Sequence, residues 1–357
     1  MDLDPTDGQA LLLDTSARFV DDRMPIEAVR AFADGAPLDP GYVAAAAQLG
    51  WFAMFVDEDL GGGSVSGDPV ADAVLLAQLR GARLQPEPFA ATNTVAGALS
   101  GQDAILSELA AGKASATVAV AGDALWDDGL RAERSGPDLV LSGTVVVDDP
   151  AASWALLTAT LEGDAVQTLV PTESLPRIAL GCLDVTRRLA ALSLDAVRVP
   201  AAALVPHAVE RTRTLATLLS VADSVGAMDR LFTMTRQYAL DRIAFGRPID
   251  SFQAHKHLLA DVSLVVESAK AVLAAATRAV SADAPHAGEV ASIAKVYVGG
   301  RAARFGQDCL QVHGGIGFAW EHDLHLYLRR ITANAALCGT VDRHRDRIVA
   351  AHAEELR

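Results

Sequence analysis

From about residue 209 onward the chain carries no strand signal. Apolar residues recur there with helical period instead: Leu215, Leu218, Leu219, Ala222 and Val225 mark one face of a long helix ending near Arg242. Further long helices are expected at about 252–282, 288–312 and 324–336, with a last one in the tail; Asp283-Ala-Pro285 closes the first of these. A strandless stretch buries its apolar stripes only by packing helix on helix. This third is therefore expected to be a bundle of long antiparallel helices.

What precedes it differs in kind. Thr6 and Gln9 have the spacing of a capping box, and Leu12, Ser16, Phe19 and Val20 follow with helical period. More helix is expected at 25–33, 41–49, 70–79 and 103–111, with the loop Asp-Glu-Asp-Leu-Gly-Gly-Gly-Ser at 57–64 between them. After Lys113 the composition shifts. Short runs rich in Val, Leu and Thr at 117–121, 139–147, 154–160, 166–171 and 192–199 are split by Gly, Pro and Asp, the spacing of a small antiparallel β domain. The expected organisation is α+β and mostly helical: a helical domain at 1–113, a β domain at 114–208 and a helical bundle at 209–357.

Composition excludes several classes of function. Thirty Lys and Arg against 45 Asp and Glu give a net charge of −15, which argues against nucleic-acid binding and against docking on an anionic membrane. Hydrophobic residues at 51% rule out a disordered tail. No apolar run reaches the length of a membrane span; the stretch from Leu215 is broken by Asp223. Cys182, Cys309 and Cys338 are odd in number and widely spaced, so neither a disulfide framework nor a zinc pair is expected. The first ten residues carry acid and Pro instead of a basic segment followed by an apolar one. A cytoplasmic protein is the expectation. His322 and His325 stand three apart without a third ligand at a telling spacing, so no metal site is expected.

Two segments carry specific chemistry. The first, 242–253, reads Arg-Ile-Ala-Phe-Gly-Arg-Pro-Ile-Asp-Ser-Phe-Gln; the second, 311–318, reads Gln-Val-His-Gly-Gly-Ile-Gly-Phe. Each is a glycine-bearing interruption between long helices. Arg242 offers a planar fork suited to phosphate, Gly314, Gly315 and Gly317 allow close approach of backbone amides, and Gln253 and Gln311 carry amides able to read a purine edge or a ribose. Together they fit a seam for a phosphorylated cofactor. Gly246 and Gly314–Gly317 as plain helix ends is the competing reading.

Over essentially its whole length the chain resembles the acyl-CoA dehydrogenase family. The resemblance rests on Arg-x-x-Phe-Gly-Arg-Pro-Ile-x-x-Phe-Gln and Gln-x-x-Gly-Gly-x-Gly-Phe, supported by Asp-Leu-Gly-Gly-Gly at 59–63. It implies FAD held between two subunits. Arg242 would pair with the pyrophosphate of the neighbour's FAD, Phe245 would pack on it, and Gln253, Gln311, Gly314 and Gly315 would line its adenine half. It also implies an acyl-CoA substrate whose α-proton is taken by a carboxylate, β-hydride transfer to the flavin, and an electron-transfer flavoprotein as acceptor.

The pattern breaks at the base. Where one subfamily has Glu-Gly-Thr the chain has Cys338-Gly339-Thr340, and where another has its Glu the match falls near Ala216. Asp223, two turns beyond Ala216 and on a similar face, is the candidate displaced base; the alternative is an ordinary helix-interior Asp bonded to a neighbour. The family's flavin-ring stretches are replaced by Ala-Gly-Asp-Ala-Leu-Trp at 121–126 and Ser-Gly-Thr-Val-Val-Val-Asp at 142–148. What is kept is what a subunit donates to its neighbour; what is lost belongs to its own site. The reading this favours is one subunit of a heteromer, similar to the α2β2 acyl-CoA dehydrogenases of actinobacteria that act on steroid side-chain CoA esters, which the 184–188 stretch Asp-Val-Thr-Arg-Arg also resembles. A homodimeric or homotetrameric enzyme using Asp223, a non-catalytic partner subunit and a flavin monooxygenase-like protein are the alternatives.

Overall fold

The computed structural model describes residues 5–120, 129–206 and 208–355. Helix α1 (Asp7–Arg23) starts at the expected capping box: Thr6 Oγ1 accepts from the Gln9 amide while Gln9 Oε1 accepts from the Thr6 amide. Helices α2 (Ile26–Ala33), α3 (Pro40–Gln48), α4 (Pro69–Gly81), α5 (Phe89–Ala96) and α6 (Asp103–Ala110) follow. Gln9 Nε2 donates to buried Asp72 Oδ1 at 2.9 Å, which pins α1 to α4. Trp51, Tyr42 and Phe89 meet edge to face at the centre of this unit. Helix α5 was not expected from the sequence. It is buried nearly all round, so its Phe-Ala-Ala-Thr-Asn-Thr-Val-Ala sequence has no polar face to reveal a period.

The β unit has β1 (Ala116–Val118), β2 (Leu130–Ser135), β3 (Asp138–Asp148), β4 (Trp154–Leu161), β5 (Asp164–Pro171), β6 (Arg177–Leu180), β7 (Leu189–Pro200) and β8 (Leu204–Val205). The sheet runs β6-β7-β3-β2-β4-β5-β8, with β1 also beside β4. Pairing is antiparallel except that β1 and β2 both run parallel to β4, at residues 154–156 and 160–161 of that strand. The sheet is thus mixed where a purely antiparallel one was expected. The reason is local: two short strands share one edge of β4 in succession. Strands β2 and β6 gave no sequence signal, because Leu-Arg-Ala-Glu-Arg-Ser is half charged and β6 is exposed at all four residues.

The remaining chain is helical: α7 (Ala208–Asp241), a hairpin of β9 (Ile243–Ala244) and β10 (Arg247–Pro248), α8 (Gln253–Ser281), α9 (Ala287–His313), a 3-10 turn at Gly314–Phe318, α10 (Leu324–Ala336) and α11 (Val341–Glu355). Helix α7 lies against α4, α8, α9 and α10. At its crossing with α4 the two backbones touch. A Cβ on Gly226 would lie 1.9 Å from Gln78 O, and one on Gly81 would lie 2.0 Å from Asp223 O. This contact fixes the height of Asp223 against the N-terminal unit. No helix among the described residues is long and apolar enough to cross a membrane.

Candidate functional site

The structure gathers the two motif segments on one exposed face. The end of α7 meets the end of α9 through Tyr238 and His313, whose rings stack at 4.6 Å. Ile249 and Val312 share a small apolar cluster beneath the hairpin, and the Ile249 amide donates to Arg242 O at 2.9 Å. Above this base Arg242, Gln253, Gln311, Gly314 and Gly315 are all exposed. Phe245 is 96% exposed and sits at φ 52°, a left-handed conformation unfavourable for a side chain of its size. Its ring lies in a T-shaped arrangement with that of Phe252, centroids 6.2 Å apart. A Cβ built on Gly314 or Gly315 meets nothing within 4 Å, whereas one on Gly317 would lie 2.7 Å from Leu310. Packing within this chain therefore explains Gly317. It does not explain Gly315, whose bare backbone is available to something outside the chain. An exposed cation, a bare aromatic face and unobstructed amides fit the phosphate-and-adenine half of a dinucleotide. His322, in the same region, accepts the Leu324 amide at 3.1 Å and so caps α10.

The residues expected to hold the base lie elsewhere and together. Ala216, Asp223 and Cys338 line one cavity with Glu87, Thr94, Asp148, Arg187, Ser220 and Asn334, between α5, the sheet, α7 and the end of α10. It encloses only ≈ 40 Å³, against about 300–1,000 Å³ for an ordinary ligand pocket. Arg187 lines it. Its Nη1 pairs with Asp148 and, at 3.3 Å, with Glu87; its Nη2 donates to Asn334 Oδ1 at 3.0 Å and lies 3.5 Å from Asp223 Oδ2; its Nε lies 3.3 Å from Asp184 Oδ2. Arg330, fully buried, lies 2.9 Å from Asp184 and 3.6 Å from Asp223 Oδ1. Asp223 Oδ2 also accepts from Asn334 Nδ2 at 2.6 Å. The candidate base is thus held by two arginines and an amide.

Burial pushes the Asp148 carboxyl up to about 7, against the pull of Arg187 and helped by Glu87. Burial opposes the charge of Arg187, yet Asp148, Asp223, Glu87 and Asp184 outweigh it and hold the guanidinium well above its usual value. Cys338 sits at φ 57° with its thiol pushed up by burial, so it stays protonated. Beneath it Lys295, lowered to about 8 by burial, donates to Leu337 O at 2.6 Å and to Asn334 O, closing the end of α10. This cavity does not fit a flavin ring. The stretch 121–126 lies outside the described residues. Glu87 and Asn334 were not singled out in the sequence, and Arg187 entered only within the 184–188 stretch, without a role; with Asp184 and Arg188 charged beside it, nothing in the sequence set it apart.

Residues 208–353 match the family described as acyl-CoA dehydrogenase, C-terminal domain. The chain is 30% identical over 333 residues to acyl-CoA dehydrogenase IpdE2 of Mycolicibacterium smegmatis, covering 92% of this chain and 94% of that one. With IpdE2 of Mycobacterium tuberculosis it shares 32% over 296 residues, 81% of this chain and 79% of that one. Among solved structures, the ChsE4–ChsE5 complex from Mycobacterium tuberculosis is similar at a TM-score of 0.89 and 26% identity, over 99% of each chain.

Proposed function

The chain belongs to the acyl-CoA dehydrogenase family, and we propose that within it this chain is the cofactor-donating subunit of a heteromer. Its partner, a second chain of the family, keeps an open cleft with the base. This chain grips the FAD of that cleft from outside. Arg242 binds the pyrophosphate, Phe245 covers the cofactor, and Gln253, Gln311, Gly314 and Gly315 receive the adenine half. When bound, FAD supplies the redox chemistry, taking a hydride from the β-carbon of an acyl-CoA. An electron-transfer flavoprotein in the cytoplasm would be the electron acceptor. A bulky acyl group such as a steroid fragment is the substrate that the resemblance of the 184–188 stretch to the steroid-acting heteromers implies.

One observation carries the proposal. The cavity at the two family base positions is narrow, ≈ 40 Å³, and lined by Arg187 and the carboxylates it pairs with, while the face carrying the two motif segments is exposed. Two copies of this chain would offer two grips and no bed for the ring. A buried Arg with several carboxylates is also costly to open, since each group freed would be charged and desolvated. A homomer using Asp223 has one observation in its favour, that this carboxylate reaches the same cavity as Ala216 and Cys338.

The test is Arg242→Ala in the assembled complex. The expected outcome is a loss of retained flavin of about tenfold or more, the scale of one charge-assisted phosphate contact, with the subunits still associated. Full flavin retention would contradict the assigned grip.

A further inference from the structure

Among the described residues, three buried side chains that line the cavity at Arg187 each carry a polar atom with no hydrogen-bond partner. The atoms are Thr94 Oγ1 of α5, Asp148 Oδ1 of β3 and Ser220 Oγ of α7. Their residues are exposed by only 1%, 3% and 9%. A hydroxyl on a helix commonly turns back to the carbonyl four residues earlier. Ser224 Oγ donates in this way to Ser220 O at 2.9 Å, and Thr235 Oγ1 to Leu231 O at 2.8 Å. Thr94 and Ser220 forgo that bond, and both line the cavity instead. Asp148 is divided between two sides. Its Oδ2 pairs with Arg187 Nη1, so the proton that its raised carboxyl holds, up to about 7, sits on Oδ1. A donor there needs an acceptor.

Size and chemistry select the occupant. The cavity's ≈ 40 Å³ has room for one to about three waters at roughly 10–15 Å³ each. Ala90, Ala91, Ala216 and Leu219 supply apolar wall, so a dry cavity is the competing state. Dryness would leave three polar groups desolvated and unpaired, each at the cost of its lost hydration. Water donates and accepts, which suits two hydroxyls and a carboxyl that holds or releases a proton. A small cation would meet one uncommitted carboxyl oxygen beside the charge of Arg187.

We propose that this cavity is a buried hydration site, in which one to three waters bridge Thr94 Oγ1, Asp148 Oδ1 and Ser220 Oγ and so tie α5, β3 and α7 together. The inference goes beyond the subunit reading and does not depend on it.

Thr94→Val keeps the shape and the helix propensity of the residue and removes the hydroxyl. In the full chain it should raise the equilibrium constant for urea unfolding about fivefold, the scale of one net hydrogen bond, because the water loses a partner. In a dry cavity the same change would delete an unpaired hydroxyl, so an unchanged or lowered constant would overturn the proposal. Xenon gives a test that needs no variant, since it enters dry apolar cavities. Crystals of the wild-type chain under xenon pressure should hold none here and should show water density between the three atoms. A xenon atom in the cavity would overturn the proposal. Full flavin retention by Arg242→Ala would sink the subunit reading and leave this one standing.

Discussion

Arg187 divides its guanidinium among Asp148, Glu87, Asp223, Asp184 and Asn334, drawn from all three parts of the chain. In the proposed reading Asp223 is a structural member of this hub. Asp223→Asn is expected to leave turnover of the assembled enzyme unchanged and to lower the stability of this chain by about 1–3 kcal/mol, the cost of a broken buried contact. A loss of turnover on the scale of about a thousandfold, with flavin retained, would instead mark it as the base. Asp148 gives a pH signature. Its folded carboxyl titrates at about 7, above the roughly 3.9 of an unfolded Asp, so between these values the folded state holds the extra proton. The stability it contributes is complete below about pH 4 and is lost as pH rises through about 7. His344, pushed down to about 4 by burial, acts with the opposite sign below its ordinary value, but it is common to wild type and variant. Asp148→Asn should therefore gain stability relative to wild type between pH 5 and pH 8, read by urea unfolding; a pH-independent difference would contradict the raised carboxyl. None of this was legible in the sequence. The partners of Asp223 sit at 187, 330 and 334, and only the fold brings them within reach.

At the scale of elements, the crossing of α4 and α7 brings the backbone at Asp223, a residue of the cavity lining, against Gly81. Helix propensity alone predicts that Gly226→Ala stabilises α7 by about 1 kcal/mol. The contact with Gln78 O predicts the reverse: the helices must part, at a cost of about 1–3 kcal/mol or more, measurable as a lower urea midpoint at unchanged slope. A higher midpoint would mean that the helices are not in contact. The long helices of the last third were readable because one buried stripe against one wet face leaves a period. Helix α5 was not, being buried nearly all round, and neither was β6, being exposed throughout; without contrast between faces there is no pattern to read. The two motif segments were readable for a different reason. Arg242, Phe245 and Gly246 lie in and beside one short hairpin, so their sequence spacing is their spatial spacing.

For the whole molecule, the proposed reading makes cofactor binding a property of the assembly, since the motif face is exposed and the cavity at Ala216 and Cys338 is narrow. The sharpest measurement is flavin content per protein chain, taken on this chain purified alone and on the complex with its neighbour-encoded partner. The chain alone should carry almost none, and the complex about one FAD for each pair of chains, reducible by acyl-CoA without oxygen. One FAD on every copy of the isolated chain, reduced by acyl-CoA, would contradict the central claim.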